Sequence, residues 1–110
     1  MLVSIIIPCF NEEKTIVKII DKILNVKDIK KEIIIIDDNS TDKTKQLLEK
    51  IISKKVHKII YKDKNQGKGA AIRTGLIHAK GDVIIIQDAD LEYNPEEYYK
   101  LFFQFQFLNL

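Results

Sequence analysis

The sequence contains no tryptophan and only one cysteine, Cys9, among its 110 residues. A single cysteine excludes an internal disulfide, which is typical of a reducing compartment and favours a cytoplasmic location. No apolar stretch reaches the length of about 20 residues that a membrane-spanning helix needs. Because Met1 leads straight into an apolar segment without a basic leader, no signal peptide is expected.

A strong charge of either sign is also lacking. The chain has 18 lysine and arginine residues against 16 aspartate and glutamate residues, so its formal net charge is only +2. The lysines are spread along the chain, which excludes the concentrated basic patch with which proteins hold nucleic acid. No nucleic-acid partner is therefore expected, and the composition predicts one small globular domain.

Four short segments rich in isoleucine and valine alternate with amphipathic segments along the chain. The second contains four consecutive isoleucines at positions 33–36, which predicts a central strand of a parallel sheet, buried on both faces. Asn11 is predicted to cap the first helix, and Asn94-Pro95 to open the fourth. The order β-α-β-α-β-α-β-α predicts an α/β fold, a parallel sheet with helices on both faces.

Two aspartates, Asp88 and Asp90, come directly after the fourth predicted strand. Side chains at positions i and i+2 of an extended backbone point to the same side, so the two carboxylates can converge. Two anions this close are unfavourable unless a cation lies between them, and oxygen ligands suit Mg²⁺ or Mn²⁺. Glu92 is a candidate third ligand. The alternative interpretation is a solvated acidic turn after the strand.

Polar residues also follow the other predicted strands. Ligands of open α/β sheets bind where the strands end, so these loops predict one shared site. Lys68, between Gly67 and Gly69, opens the third helix in what resembles a phosphate cradle, although it could also be merely solvated. Asp37 and Asp38 could cap the second helix, and Asp38 is the better candidate to accept the N–H of a nucleotide base. The first strand ends in Pro8, Phe10, Asn11 and Glu12.

Four motifs, in order, resemble the family 2 glycosyltransferases, which have the GT-A fold. They are Val-Ser-Ile-Ile-Ile-Pro-Cys-Phe-Asn-Glu-Glu from Val3, Ile-Asp-Asp-Asn-Ser-Thr-Asp from Ile36, Asn-Gln-Gly-Lys-Gly-Ala-Ala from Asn65, and the segment from Gly81 to Asp90. The sequence Asp-Ala-Asp-Leu-Glu-Tyr-Asn-Pro-Glu looks most like the polyprenyl-phosphate (dolichyl-phosphate) mannosyl- and glucosyltransferases. The resemblance covers residues 2–100 and implies a Rossmann-like nucleotide-sugar-binding domain over residues 1–100.

The resemblance also implies roles for individual residues. The donor nucleoside would be surrounded by Pro8, Phe10, Glu12, Ile36 and Asp38, and Asn11 and Lys68 would complete the donor-binding set. Asp88 and Ala89 would lie beside the ribose and the diphosphate. Asp88 and Asp90 would be the catalytic pair. Together with Glu92, at a position where this subgroup often has glutamine, they would hold Mg²⁺ or Mn²⁺.

The reaction implied by the resemblance is inverting transfer of a sugar from a donor of the GDP-mannose or UDP-glucose type to a polyprenyl or dolichyl phosphate. A lipid acceptor would bring the protein to the cytoplasmic face of a membrane as a peripheral protein. Two alternatives stay open. One is a family 2 transferase with a polysaccharide or glycan acceptor, and the other is an inactive, truncated nucleotide-binding module.

Residues 101–110 depart from the family pattern. This tail is apolar and uncharged and holds four of the five phenylalanines, Phe102, Phe103, Phe105 and Phe107. Two interpretations are open: the rings cover the sheet, or the tail marks an interrupted domain or an altered reading frame. Family members continue with elements that form the acceptor side. The donor-binding domain is therefore expected to be incomplete here, and the chain alone is expected to transfer sugar slowly or not at all.

Overall fold

The computed structural model describes residues 1–89, so the predicted fourth helix, Asp90, Glu92 and the aromatic tail lie outside the described range. The strands are β1 (Leu2–Cys9), β2 (Lys30–Asp37), β3 (Lys58–Tyr61) and β4 (Val83–Ile86), and the helices are α1 (Ile16–Asn25), α2 (Thr44–Lys50) and α3 (Lys68–His78), with a 3₁₀ turn at Ile52–Lys54. The strands pair in parallel in the order β3-β2-β1-β4. None of the helices within residues 1–89 is long and apolar enough to span a membrane.

Helices cover both faces of this sheet. On one face, α1 and α2 pack against alternate residues of β1 and β2, including Ile5, Ile7 and Ile35. On the other face, Ile6 and neighbouring isoleucines of β2 pack against α3. Because successive side chains of a strand point to opposite faces, an unbroken run of isoleucines supplies both cores at once. The predicted parallel α/β sheet with helices on both faces is confirmed.

A glycine allows α3 to lie close to the sheet. A Cβ atom at Gly75 would lie 2.5 Å from Cγ2 of Ile6 and 2.8 Å from Cδ1 of Ile36. Both isoleucines are fully buried, so neither has room to move away. Because Lys68 is the first residue of α3, the close packing at Gly75 also sets the height of Lys68 above the sheet.

The Gly75→Ala variant is expected to lower the free energy of unfolding by about 1–3 kcal/mol, because overpacking outweighs the gain of roughly 1 kcal/mol in helix propensity. Urea unfolding measures this change. Gly69→Ala is the matched control in the same helix, since its Cβ would meet only the Arg73 guanidinium, at 3.6 Å. The control is expected to be neutral or slightly stabilising. Equal stability of the two variants would contradict the role given to Gly75.

The start of α1 differs from the sequence prediction. Asn11 was predicted to cap this helix, but α1 begins at Ile16 and its N-cap residue is Thr15. Asn11 lies four residues earlier and adopts a positive φ of 52°, a conformation that asparagine tolerates better than most residues. The prediction was wrong because the polar residues 11–15 form a turn before the helix, in which Glu12 O accepts the N–H groups of Thr15 and Ile16.

Candidate functional site

A cavity of about 270 Å³ lies where β1, β2 and β4 end, beside the first turn of α3. Its lining residues are Pro8, Cys9, Phe10, Glu12, Asp38, Lys68, Ala71, Asp88 and Ala89. All but Cys9 and Ala71 were predicted from the sequence to bind the donor. The lining includes a residue from each of the four predicted loops, so the expectation that these loops meet at one place is correct.

Cys9 and Ala71 line the cavity although sequence reasoning missed them. Burial raises the pKa of the Cys9 thiol well above its ordinary value, and the negative charges of Asp37 and Glu12 raise it further. The thiol therefore stays protonated at neutral pH and is not a nucleophile. Ala71 follows Lys68 by three positions, and this spacing places both residues on one face of a helix. The helical spacing from Lys68 could therefore have predicted Ala71 as a lining residue.

Two predicted donor-binding residues, Ile36 and Asn11, do not line the cavity. The Ile36 side chain is fully buried in the core beneath α3, so a contact with a nucleoside would have to come from its backbone. Asn11 connects two loops instead. Its Oδ1 accepts the N–H groups of Thr41 at 2.8 Å and Asp42 at 3.2 Å, and its own N–H donates to the Ser40 hydroxyl at 2.9 Å. The loops after β1 and β2 are thus joined.

The carboxylate of Asp37 closes a turn and does not cap α2. It accepts the backbone N–H of Ser40 at 3.1 Å and the Ser40 hydroxyl at 2.5 Å. The first N–H of α2, at Thr44, donates to Asp42 at 2.8 Å. Burial opposes the ionisation of Asp42, but hydrogen bonds from Thr44 and Glu13 outweigh it and hold the pKa of Asp42 below its ordinary value. Asp42 therefore accepts the first N–H group of α2, the role that was predicted for Asp37 or Asp38.

Asp38 holds the loop that leads into α3. Its side chain is buried, with 4% of the residue exposed, and its two oxygens accept the N–H groups of Gln66 at 2.9 Å and Gly67 at 2.8 Å. Gly67 has a φ of +93°, which is readily adopted only by glycine. The loop is therefore fixed immediately before Lys68. Each carboxylate oxygen has a second lone pair, so Asp38 can still accept an N–H from a ligand.

Lys68 and Asp88 form an ion pair at the cavity. The side chain of Lys68 is 57% exposed and that of Asp88 is 28% exposed, so both can be reached by a ligand. Among residues 1–89, the lining holds three carboxylates, those of Glu12, Asp38 and Asp88, and one ammonium group, that of Lys68. The formal charge of this described lining is therefore negative, which favours a cation beside any anionic ligand such as a diphosphate.

Asp88 suits the role of a metal ligand, because it offers a carboxylate at the cavity and already attracts a cation there. Within residues 1–89, no group of three His, Cys, Asp or Glu side chains is placed to hold a metal ion. The other two predicted ligands, Asp90 and Glu92, lie outside that range. A metal bound by Asp88 would have to complete its coordination with those residues, with ligand oxygens or with water.

A family model described as Glycosyl transferase family 2 matches residues 4–109. The chain is also similar to the dolichol-phosphate mannosyltransferase of Pyrococcus furiosus, with 36% identity over 102 residues. That match covers 92% of this chain but only 29% of the relative. The chain therefore spans less than a third of that relative's length.

Two solved structures show the same similarity in three dimensions. One is the mannosyltransferase PcManGT from Pyrobaculum calidifontis in complex with GDP-Man and Mn²⁺, with a TM-score of 0.78, 26% identity, and coverage of 88% of this chain and 30% of that chain. The other is S. aureus TarS 1-349 in complex with UDP-GlcNAc, with a TM-score of 0.76, 28% identity, and coverage of 96% of this chain and 31% of that chain.

Proposed function

We propose that the cavity binds the nucleoside diphosphate part of a sugar donor, since this chain belongs to glycosyl transferase family 2. The observation that carries the proposal is the convergence of Phe10, Asp38, Lys68 and Asp88 on one cavity at the ends of the strands. These four side chains offer an aromatic face, a hydrogen-bond acceptor, a cation and a metal ligand. A nucleoside diphosphate presents a complementary partner to each of them.

Each part of the donor has a place along the cavity. Phe10 is 42% exposed, so its ring is available to stack on the base. Asp38 is rigidly held by the β3–α3 loop and accepts the imino N–H of uracil or guanine. Lys68 and Asp88, which pair with each other at the cavity, would lie beside the diphosphate.

The excess of carboxylates at the cavity supports a divalent cation as part of the bound state. Asp88 would hold Mg²⁺ or Mn²⁺ together with Asp90 and Glu92, and PcManGT, the similar mannosyltransferase, is in complex with Mn²⁺ and GDP-Man. When bound, the cation supplies positive charge to the diphosphate as it leaves. Lys68 adds a second positive charge through its ammonium group, which is already at the cavity.

The proposed reaction is transfer of the sugar to a polyprenyl phosphate, by analogy with the dolichol-phosphate mannosyltransferase relative. A phosphate oxygen of the acceptor forms a bond to the anomeric carbon as the bond from that carbon to the nucleoside diphosphate breaks. Attack from the side opposite the leaving group inverts the anomeric configuration. Because the acceptor phosphate is already an anion at neutral pH, the reaction needs no strong general base. A lipid acceptor would place the protein at a membrane surface.

Calorimetry with UDP, GDP and ADP tests the donor proposal, because the three ligands share a diphosphate and differ in the base. In the presence of Mn²⁺, UDP or GDP is expected to bind at least about tenfold more tightly than ADP. A tenfold ratio corresponds to the free energy of one well-placed hydrogen bond to the base. In EDTA, the affinity is expected to fall. Equal affinity for all three nucleotides, or no change in EDTA, would contradict the proposal.

The acceptor is tested by following a radiolabelled sugar from the preferred donor. Transfer into a lipid-soluble product is expected with a polyprenyl phosphate. The transfer is expected to be slow, because positioning of the acceptor supplies much of the rate in such reactions and this chain spans less than a third of the relative's length. Transfer only to an added glycan would favour the alternative acceptor class. Donor binding without transfer to either acceptor would limit the function of this chain to nucleotide binding.

A further inference from the structure

The hydroxyl of Thr15 connects the start of α1 to the end of β4. Thr15 Oγ1 donates to the backbone carbonyl of Ala89 at 2.6 Å, across 74 positions of sequence. The Glu12 carboxylate is a second neighbour of this hydroxyl, but at 3.4 Å. Because a hydroxyl has one proton and hydrogen bonds weaken with length, the bond to Ala89 is the principal one.

Thr15 makes this bond instead of stabilising its own helix. It occupies the N-cap position of α1, where threonine normally accepts an N–H from the first turn. No such side-chain bond is formed at this N-cap. A residue type suited to local capping is therefore used for a long-range contact, and such departures from local preference are expected mainly at functional sites.

The contact reaches the backbone from which Asp88 projects. Ala89 is buried, and its carbonyl is held by Thr15. The preceding carbonyl, of Asp88, accepts a bond from the buried Gln87 side chain at 3.0 Å. Because a peptide unit is planar, holding the Asp88 carbonyl orients the peptide that joins Asp88 to Ala89, and holding the Ala89 carbonyl keeps Ala89 in place. The Asp88 carboxylate is thereby held toward the cavity.

We propose that Thr15 is a positioning residue for the metal-binding turn at Asp88 and Ala89, an inference that rests on the proposed donor-binding function. Loss of the hydroxyl leaves the Ala89 carbonyl buried without its partner and allows the turn to rotate. The base side of the cavity, at Phe10 and Asp38, keeps its contacts. The defect is therefore confined to the part of nucleotide affinity that depends on the metal.

Three variants of the full chain test this proposal by calorimetry with the preferred nucleotide. Thr15→Val removes the hydroxyl at nearly constant shape, and Thr15→Ser retains it. Thr74→Val is the matched control, since the Thr74 hydroxyl also donates to a backbone carbonyl, that of Ala70, at 3.1 Å. Thr15→Val is expected to lower affinity in Mn²⁺ about tenfold and to leave affinity in EDTA unchanged. Thr15→Ser and Thr74→Val are expected to stay within about twofold of the unmodified chain.

The same variants distinguish failure of this inference from failure of the proposed function. An equal loss of affinity in Mn²⁺ and EDTA would mean a general structural role for Thr15 and would overturn the inference, as would no loss at all. If the unmodified chain binds no nucleotide, the proposed function fails, and Thr15 is judged on Mn²⁺ alone by electron paramagnetic resonance. A roughly tenfold weaker Mn²⁺ affinity in Thr15→Val, restored in Thr15→Ser, supports the inference. No Mn²⁺ binding by the unmodified chain overturns it.

Discussion

Replacement of Asp38 with asparagine is expected to weaken nucleoside diphosphate binding by roughly tenfold to a hundredfold. The two carboxylate oxygens accept the N–H groups of Gln66 and Gly67 in a buried setting. Asparagine has only one side-chain oxygen, so its amide group would place a donor against one of those donors. Loss of a buried, charged acceptor costs about 1.5–3 kcal/mol, which corresponds to that range of affinity. The loop before Lys68 would relax, and the proposed base contact would be lost as well.

Calorimetry with the preferred nucleotide, UDP or GDP, and with ADP separates these two effects of Asp38→Asn. If Asp38 contacts the base, the affinity for UDP or GDP falls more than that for ADP, because adenine has no imino N–H; if Asp38 acts only through the loop, both affinities fall by the same factor. Asp63→Asn is the matched control, because it removes the same charge from an exposed position in the β3–α3 loop, the loop that Asp38 holds. The control is expected to behave as the unmodified chain. Unchanged binding by Asp38→Asn would remove Asp38 from the proposed site.

The position of the cavity was predictable from the sequence because parallel topology dictates where the strands end. The runs of isoleucine indicated strands buried on both faces, and in such a sheet all strands end at one edge. The polar residues that follow each run therefore had to meet there. Glu12, Asp38, Lys68 and Asp88 illustrate this, since each follows a different strand and all four line one cavity. The expected family membership is confirmed by the family model and the relatives, and the expected fold by the parallel sheet and the similar solved structures.

The contacts made within that edge were not predictable, because they depend on how separate loops approach one another. The sequence around Asn11 is typical of a helix cap, but the positive φ of Asn11 turns its side-chain amide toward the loop after β2. Thr15 is similarly indistinguishable from an ordinary cap until β4 is placed beside it. Ile36 lies beside Asp37 in sequence, but strand alternation sends its side chain into the core beneath α3. Local propensity carries no information about such long-range partners.

The pairing of Lys68 with Asp88 could not be inferred from either motif alone. In the sequence, Lys68 belongs to a glycine-rich segment that suggests phosphate binding, whereas Asp88 belongs to a pair of aspartates that suggests metal binding. The structure places the two side chains in contact, so a ligand that binds at Asp88 must compete with the Lys68 ammonium. This competition determines the sign of the effect expected when Asp88 is replaced.

Asp88→Asn is expected to abolish the Mn²⁺ enhancement of nucleotide binding, with an affinity in Mn²⁺ lower by about a hundredfold. In EDTA the same variant is expected to bind as tightly as the unmodified chain or more tightly. The reason is that the diphosphate then meets one negative charge fewer, and the Lys68 ammonium no longer has the Asp88 carboxylate as its partner. Calorimetry in Mn²⁺ and in EDTA measures both changes on one protein sample.

The absence of any loss in EDTA makes the Asp88→Asn result specific, because general damage to the fold would weaken binding under both conditions. Asp82→Asn is the matched control: Asp82 lies just before β4, at the other end of the strand, and accepts the Leu2 N–H at 2.8 Å. It removes the same charge far from the cavity and is expected to retain the full Mn²⁺ enhancement. If Asp88→Asn also retains that enhancement, Asp88 does not hold the metal, and its carboxylate serves only to pair with Lys68.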